Sequence, residues 1–266
     1  MKSLLLAMLI GLMMVGCGEE VQKESVQEEA PKEASFAVKP GENFTVPDLN
    51  LTMIWVEPGT FMMGDKGKQH QVKLTNGFYL GKYELTQAQW EKVMGSDPSR
   101  FKGADRPVET VRWIEAVSFC NKLTEMEKKA GRVPEGMAYQ MPTEAQWEYA
   151  CRAGTTTAYS WGDAITKTNA NYRDSRFKQT RDVGQYAANP WGFHDMHGNV
   201  YEWCADWYGD YPSGAVRDPV GPADGSYRVN RGGSWGFTAN FARCATRIRF
   251  VPASGHGGLG FRLSLR

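Results

Sequence analysis

The chain has 266 residues and a net charge of +1 at pH 7, and hydrophobic residues make up 41% of it. This length allows one large domain or two small ones. A net charge near zero gives no bulk attraction to nucleic acid, so we expect no nucleic-acid partner. The 29 glycines and nine tryptophans are typical of a compact fold with many tight turns and buried aromatic side chains.

The N-terminus has the features of an export signal. Lys2 precedes an apolar stretch at residues 4–15, which is too short for a comfortable membrane span, and the sequence Gly16-Cys17 follows. Small residues before a cysteine resemble a bacterial lipobox, although Met14 stands where leucine is usual. We predict that residues 1–16 are removed and that Cys17 carries lipid. The protein would then be exported and membrane-anchored in the bacterial cell envelope, facing the periplasm or the surface. The alternative is an ordinary secretory signal.

The next segment, residues 17–44, is predicted to be a disordered tether. It combines glutamates and lysines with Pro31 and Pro40 and has almost no apolar residues. Such a composition cannot bury enough surface to offset the entropy of ordering the chain. We therefore expect the folded domain to span residues 45–266.

The domain begins with a strand-rich region. Residues 53–56 and 60–64 are apolar and β-favouring, and the dipeptide Pro58-Gly59 predicts a turn between them. Residues 71–74 and 78–80 flank Asn76-Gly77, a strong short-range signal for a β-hairpin. We therefore predict that these last two strands pair with each other.

Three helices are expected next. Thr86 with Gln89 and Thr143 with Gln146 have the spacing of capping boxes, and Gly95 is suited to end the first helix. A longer helix is predicted at residues 113–130, where one face carries apolar residues at helical spacing: Ala116, Phe119, Cys120, Leu123 and Met126. In the third helix, Trp147 and Cys151 share a face.

After Gly154 the sequence indicates short strands and long loops. Within this region, residues 192–203 place the carboxylates of Asp195 and Glu202 on one short, glycine-containing segment. Carboxylates and main-chain carbonyls are the oxygen ligands that Ca²⁺ prefers. The alternative is that both carboxylates accept hydrogen bonds from turn amides and that the neighbouring aromatic residues belong to the core.

Four cysteines remain in the domain: Cys120, Cys151, Cys204 and Cys244. An exported protein meets an oxidising compartment, where disulfides are allowed. Four cysteines permit three complete pairings, and spacing alone does not choose among them. No CxxC or HxxxH spacing predicts a zinc site.

Several motifs, taken in order, resemble the formylglycine-generating enzyme family, also called the sulfatase-modifying factor family. They lie at residues 53–64, 83–86, 141–149, 198–203 (Gly-Asn-Val-Tyr-Glu-Trp), 231–235 (Arg-Gly-Gly-Ser-Trp) and 260–262 (Gly-Phe-Arg). The resemblance covers about residues 50–266. It implies a compact α+β fold with little regular secondary structure, related to the C-type lectin fold.

The resemblance also implies metal ligands. It assigns calcium to Asp195, Glu202 and the carbonyls of Gly198 and Val200. It starts a second calcium site at Asn171 and the carbonyl of Tyr172, with further ligands near residues 174–177.

The cysteines are read through the same resemblance. It pairs Cys151 with Cys244 in a disulfide, and it gives Cys120 a partner position that is occupied here by Leu263. Cys120 and Cys204 are therefore either free or paired with each other. Enzymatic members of the family use copper held by two cysteines after the Arg-Gly-Gly-Ser-aromatic motif. Residues 236–243 contain no cysteine, so we expect no bound copper.

Two functions remain open. The first is a non-catalytic binding or accessory protein that holds a peptide, a glycan or an envelope protein near Trp235, Phe237 and Arg243. The second is a formylglycine-generating oxidase or another O₂-dependent enzyme that modifies a protein cysteine. The missing thiols favour the first. The three groove residues have an alternative interpretation as ordinary packing.

Overall fold

A computed structural model describes residues 38–65 and 67–266. The predicted signal segment, the predicted lipidation site at Cys17 and most of the predicted tether lie outside these residues. Val38 and Phe44 are both buried, so packed structure begins before residue 45, where we expected the domain to start. No helix in the described part of the chain is long and apolar enough to cross a membrane.

The described residues form three α-helices and twelve short strands, as the expected α+β class requires. The helices are α1 (Gln87–Met94), α2 (Trp113–Lys129) and α3 (Glu144–Arg152). The strands are β1 (Phe44–Val46), β2 (Leu51–Val56), β3 (Gly59–Met63), β4 (His70–Leu74), β5 (Phe78–Gly81), β6 (Tyr139–Gln140), β7 (Tyr201–Trp207), β8 (Val216–Arg217), β9 (Arg228–Arg231), β10 (Ile248–Phe250), β11 (Leu259–Gly260) and β12 (Ser264–Leu265).

The strands form three small sheets. The first has the order β1-β2-β5-β12-β6, and all its neighbours are antiparallel. The second has the order β10-β9-β7-β11 and the third β3-β4-β8. Because β12 lies between β5 and β6, the C-terminal strand closes a sheet that the first strands begin.

The predicted hairpin at Asn76-Gly77 is wrong. β4 pairs with β3 and β8, whereas β5 pairs with β2 and β12, so the two strands belong to different sheets. A type I′ hairpin turn needs positive φ at both central residues, and neither Asn76 nor Gly77 has one. Gly77 instead packs on Trp55, where an added Cβ would lie 2.1 Å from the indole ring.

The capping predictions are confirmed. In α1, the Gln89 amide donates to Thr86 Oγ1 at 3.3 Å and the Thr86 amide donates to Gln89 Oε1 at 3.0 Å. The same reciprocal pair joins Thr143 and Gln146 at the start of α3. Gly95 ends α1 with φ 82°, a conformation that suits glycine.

The predicted buried face of α2 is correct for four of its residues and wrong for the fifth. Ala116, Phe119, Cys120 and Leu123 are buried, but Met126 is 43% exposed. The last turn instead directs Thr124 and Glu127 inward. Thr124 Oγ1 accepts from the Tyr139 amide at 2.9 Å, and Glu127 pairs with Arg132. These polar partners replace the apolar contact that the helical spacing predicted.

Two apolar clusters make up the core. One packs α1, α2 and the first sheet around side chains such as Phe119, Tyr79 and Phe261. The other surrounds α3 and contains Trp147, Cys151 and Cys244. Trp147 and Cys151 are both completely buried, which confirms that their shared face points inward.

Candidate functional site

Residues 192–203 form a tightly bent segment against neighbouring loops. Asp195, Gly198 and Asn199 have positive φ values of 57°, 110° and 61°. The Asn199 amide donates to the Asn171 carbonyl at 2.7 Å. A Cβ on Gly198 would lie 2.4 Å from that same carbonyl oxygen, so the close approach of the two loops requires glycine here.

Glu202 is held by an arginine that the calcium prediction did not include. Its carboxylate accepts from Arg262 Nε at 2.7 Å and from Arg262 Nη2 at 2.8 Å. Trp147 Nε1 donates to Glu202 Oε2 at 2.8 Å. All three residues are completely buried. Glu202 therefore forms a buried ion pair with Arg262.

Two further carboxyl groups lie near this pair. Asp195 Oδ2 accepts from the Gly184 amide at 2.6 Å, and burial raises the pKa of Asp195 to about 6. Glu84 accepts from the Val200 amide at 3.0 Å and from Asn199 Nδ2 at 2.6 Å. Burial, followed by the charges of Asp195 and Glu202, raises the pKa of Glu84 well above its usual value. The sequence analysis did not identify Glu84.

This arrangement fits a hard cation in its chemistry. Three buried carboxyl groups face one guanidinium, and every candidate donor atom is oxygen. Oε2 of Glu202 already accepts two hydrogen bonds whereas Oε1 accepts one, which leaves a lone pair on Oε1. The carboxylate oxygens of Glu84, Asp195 and Glu202 are not among the described groups whose ligand atoms all lie within 4.8 Å of one another. Main-chain carbonyls such as those of Gly198 and Val200 would therefore have to complete a calcium site.

At the second predicted calcium site, the two assigned oxygen atoms accept hydrogen bonds, and the ion stays a prediction. Ser175 Oγ donates to Asn171 Oδ1 at 2.9 Å and lies 2.6 Å from the Tyr172 carbonyl. The Ser175 amide also donates to that carbonyl at 2.9 Å. Ser175 thus engages both oxygen atoms that the resemblance assigned to an ion. Asn171 Nδ2 donates to Asn199 Oδ1 at 3.1 Å, which joins this loop to residues 192–203.

The structure brings Cys151 and Cys244 together as the resemblance implied. Their sulfurs are 3.6 Å apart and unbonded, so the disulfide stays a prediction. His197 Nε2 lies 3.7 Å from Cys151 Sγ. Cys120 and Cys204 are also buried, and burial raises the pKa of both thiols.

The three predicted groove residues contact different neighbours. Trp235 Nε1 donates to the Gly257 carbonyl at 2.6 Å, and the indole meets Phe101 edge to face. Arg243 forms a two-pronged ion pair with Asp65, at 2.8 and 3.1 Å. Phe237 is 37% exposed and packs against Tyr201 and Phe241. Of the three, Phe237 offers an exposed apolar surface.

A second exposed aromatic residue is connected to this loop through Tyr159. Trp161 is 39% exposed and stacks on Tyr159 at 5.5 Å between ring centroids. Tyr159 Oη donates to the Ala239 carbonyl at 2.9 Å, so Tyr159 lies beside residues 236–243 and connects Trp161 to this loop. They are distant from this loop in sequence, and no local pattern predicts that they meet it.

Comparison with known proteins identifies the family. Residues 39–266 match the model of the sulfatase-modifying factor enzyme 1-like domain. The chain belongs to this family. The resemblance seen in the motifs is thereby confirmed.

Relatives of this domain have different names. The chaperone protein LppX of Paenibacillus barcinonensis is 32% identical over 259 residues, which cover 81% of this chain and 88% of LppX. The formylglycine-generating enzyme of Streptomyces coelicolor is 33% identical over 66% of this chain and 57% of its own. A serine/threonine-protein kinase, pkn1 of Chlamydia caviae, is 31% identical over 90% of this chain but only 41% of the kinase.

Two solved structures share the fold. Treponema denticola variable protein 1 superposes with a TM-score of 0.77 at 30% identity, covering 86% of this chain and all of that protein. PvdO of Pseudomonas aeruginosa superposes with a TM-score of 0.72 at 25% identity, covering 86% of this chain and 99% of PvdO. The same family fold therefore occurs in proteins with several names, and fold alone does not assign an activity.

Proposed function

We propose that this domain is a non-catalytic member of its family that binds a protein partner at the cell envelope. The observation that carries the proposal is the burial of the thiols. Cys151, Cys204 and Cys244 have no exposed surface, and Cys120 is 2% exposed. The oxidase chemistry implied by the family resemblance needs thiolates that hold a soft metal ion where O₂ and the substrate can reach it.

The loop that would carry those thiols supports the same proposal. Residues 236–243 contain no cysteine, and they form a compact turn that includes a 3₁₀ helix at Ala239–Ala242. The Phe237 amide donates to the Ser234 carbonyl, and the Phe241 amide donates to the Thr238 carbonyl, both at 3.0 Å. The loop therefore places an aromatic side chain at the surface instead of a nucleophile.

The partner proposal draws on this surface and on a relative. Trp161 and Phe237 are exposed, and aromatic side chains are enriched where proteins bind each other. LppX, which matches most of this chain, is named a chaperone protein, and a chaperone acts on other proteins. We therefore expect a protein or peptide ligand next to residues 236–243, with Arg243 at its edge.

We also propose a structural calcium ion at Asp195 and Glu202, with the carbonyls of Gly198 and Val200. The excess of buried carboxyl groups over guanidinium groups supports it, since a divalent cation would neutralise that excess. The Gly184 amide donates to Oδ2 of Asp195 and not to Oδ1, and Glu202 retains a lone pair on Oε1. The ion would hold this bent segment in place and has no catalytic part in the proposal.

Location completes the proposal. The signal features at residues 1–16 support export, and Cys17 is the proposed lipid attachment site. Mass spectrometry of the protein purified from its own cells should find a lipid adduct on Cys17. An N-terminus elsewhere would contradict the anchor.

The decisive test of the non-catalytic assignment is an oxidase assay. The protein is incubated with copper, reductant, O₂ and a peptide that carries the sulfatase sequence Cys-x-Pro-x-Arg, with the Streptomyces coelicolor enzyme as a positive control. We expect the control to convert the peptide cysteine to an aldehyde and this protein to leave it unchanged. An aldehyde formed by this protein would overturn the proposal.

Partner binding is tested by crosslinking in the native cells. A photoreactive amino acid at position 237 should capture a protein, and Trp161→Ala should reduce the yield. The same reactive residue at Met126, an exposed position on α2, serves as the matched control. Equal capture at both positions, or none at position 237, would contradict a binding surface at this loop.

A further inference from the structure

Three buried side chains with metal-binding chemistry converge at a site that shares no residue with the proposed calcium ligands. Cys151 lies near the end of α3, His197 in the bent segment, and Cys244 just after the 3₁₀ helix. Their ligand atoms all lie within 4.8 Å of one another. Among the described His, Cys, Asp and Glu residues, these three form the group whose ligand atoms are all this close together. The cysteines are 93 positions apart, so no sequence motif reveals the group.

The histidine is already arranged as a metal ligand. Its Nδ1 lies 2.7 Å from the Ala242 carbonyl, which can only accept, so Nδ1 carries the proton. The Ser160 amide points at Nε2 from 3.2 Å and thus requires a lone pair there. A carbonyl that orients the second ring nitrogen is the usual support of a metal-bound histidine.

The spacing of the atoms fits tetrahedral zinc. Zinc bonds of about 2.3 Å to sulfur and about 2.0 Å to nitrogen place two sulfurs about 3.8 Å apart and a sulfur and a nitrogen about 3.5 Å apart. The Cys151 and Cys244 sulfurs are 3.6 Å apart, and Cys151 Sγ lies 3.7 Å from His197 Nε2. The site therefore needs little movement to accept the ion.

We propose that the reduced domain binds a zinc ion through Cys151 Sγ, Cys244 Sγ and His197 Nε2. Ser160 Oγ, 3.1 Å from Nε2, is positioned to supply the fourth ligand. Binding replaces the two thiol protons with the ion, so two thiols and Zn²⁺ become a neutral zinc dithiolate and two released protons. The Nε2 lone pair, which accepts a hydrogen bond from the Ser160 amide in this structure, binds the metal instead.

A buried guanidinium group lies beside the second cysteine. Arg231 Nη2 donates to the Cys244 carbonyl at 2.9 Å, which fixes the position of this residue. Positive charge beside a sulfur stabilises its deprotonated form, which metal binding requires.

Zinc and the Cys151–Cys244 disulfide exclude each other because both use the same two sulfurs. Forming the disulfide removes two protons and two electrons, and the electrons pass to an oxidant such as O₂. The zinc site thus belongs to the reduced protein, before oxidation or in a reducing environment. This inference is independent of the proposed function, since neither the oxidase assay nor partner capture reports on these sulfurs.

The test uses the full chain reduced with a phosphine under nitrogen. We expect about one zinc ion per chain after desalting and the release of about two protons on binding. Co²⁺ in place of zinc should give a sulfur-to-metal charge-transfer absorption. Cys151→Ala and Cys244→Ala should abolish that absorption, and His197→Gln should weaken zinc binding at least tenfold, about the loss that changes at metal sites produce.

A matched control removes the other thiols. The triple variant Cys17→Ser, Cys120→Ser, Cys204→Ser should bind zinc like the wild type. The folding of each variant is checked by circular dichroism, and His197→Gln tests the site with both cysteines intact. The inference is overturned if the reduced, folded wild type retains no zinc, or if Cys151→Ala retains it equally. It is also overturned if the disulfide resists the phosphine until the domain unfolds.

Discussion

Two buried ionic networks both contact Trp147, and they differ in charge balance. The Glu202 network consists of Glu84, Asp195, Glu202 and Arg262, so three carboxyl groups share one guanidinium. Burial is the largest cause of the raised pKa of Glu84, and the neighbouring carboxylates raise this pKa further. This network carries more negative charge than its arginine can neutralise.

The Arg231 network has no such surplus. It combines three carboxyl groups with three guanidinium groups: Glu144, Glu148, Asp206, Arg152, Arg231 and Arg247. Arg231 contacts both Glu148 and Glu144, and Arg247 Nη2 lies 2.6 Å from Glu144 Oε2. The charges in this network can neutralise one another without an added ion.

The difference shows how each network maintains the fold. A buried charge costs several kcal/mol unless it is paired. The Arg231 network meets this need with side chains alone, so we regard it as structural. The Glu202 network needs bound protons or a cation, which is why the calcium proposal applies to it and not to the other.

The largest expected effect on stability comes from breaking the Arg231 network. Arg231→Leu leaves Glu148 and Glu144 short of a buried partner and should lower the free energy of unfolding by about 3 to 5 kcal/mol. Urea denaturation measures the loss. Arg243→Ala removes the partly exposed pair with Asp65 and should cost only about 0 to 1 kcal/mol. Similar losses for both variants would show that the buried network is not structural.

The next effect tests the cation in the Glu202 network. Calcium at about 100 times its Kd should raise the free energy of unfolding by about 2.7 kcal/mol, and a chelator should remove the gain. Asp195→Asn should abolish the response because it removes a charged ligand. Asp206→Asn, in the balanced network, should respond like the wild type. Identical melting of the wild type with chelator and with calcium would refute an ion at this site.

The pH dependence of stability also tests the Arg231 network. Burial, followed by repulsion from Glu144, raises the pKa of Asp206 to about 7, while Arg266 and Arg247 oppose the shift. Because folding raises this pKa, the folded chain holds the proton more tightly than the unfolded chain does. The resulting stabilisation is complete below the pKa of the unfolded chain, about 3.9, and is lost as pH rises through 7.

Asp206→Asn should therefore flatten the decline in stability, whose slope from this group is at most about 1.4 kcal/mol per pH unit. Denaturant midpoints measured from about pH 5 to about pH 8 provide the check. Ser213→Ala, at an exposed position that does not titrate, should leave the wild-type profile unchanged. A profile that Asp206→Asn does not alter would show that this carboxyl titrates as it does in the unfolded chain.

The smallest effect concerns the helix that carries Glu144, Glu148 and Arg152. Thr143→Ala removes the hydrogen bond that Thr143 Oγ1 accepts from the Gln146 amide at 3.1 Å. We expect a loss of about 1 kcal/mol in thermal or urea unfolding. Thr168→Ala, in an exposed loop, should change stability by less than about 0.5 kcal/mol. Equal losses would mean that the cap adds nothing to the network it precedes.

Local chemistry explains what the sequence predicted correctly. Thr86, Thr143 and their partner glutamines lie three positions apart, so each capping box is decided within one turn of helix. The bend at residues 192–203 is equally local, because glycine and short polar residues adopt positive φ there. The family motifs also predicted the α+β fold, which the comparisons confirmed.

Contacts between distant parts of the chain decided the rest. Asn76-Gly77 has the composition of a hairpin, yet β4 and β5 join different sheets because each finds its partners elsewhere in the chain. Arg262 reaches Glu202 from 60 positions away, and Glu84 reaches the Val200 amide from 116. Cys151 and His197 meet across 46 positions. The sequence determined which segments bend and which helices form, because those choices depend on neighbours a few residues away. Only the packed chain determined which charges and thiols share a low-dielectric interior, because that depends on the folding of segments that carry no local signal of one another.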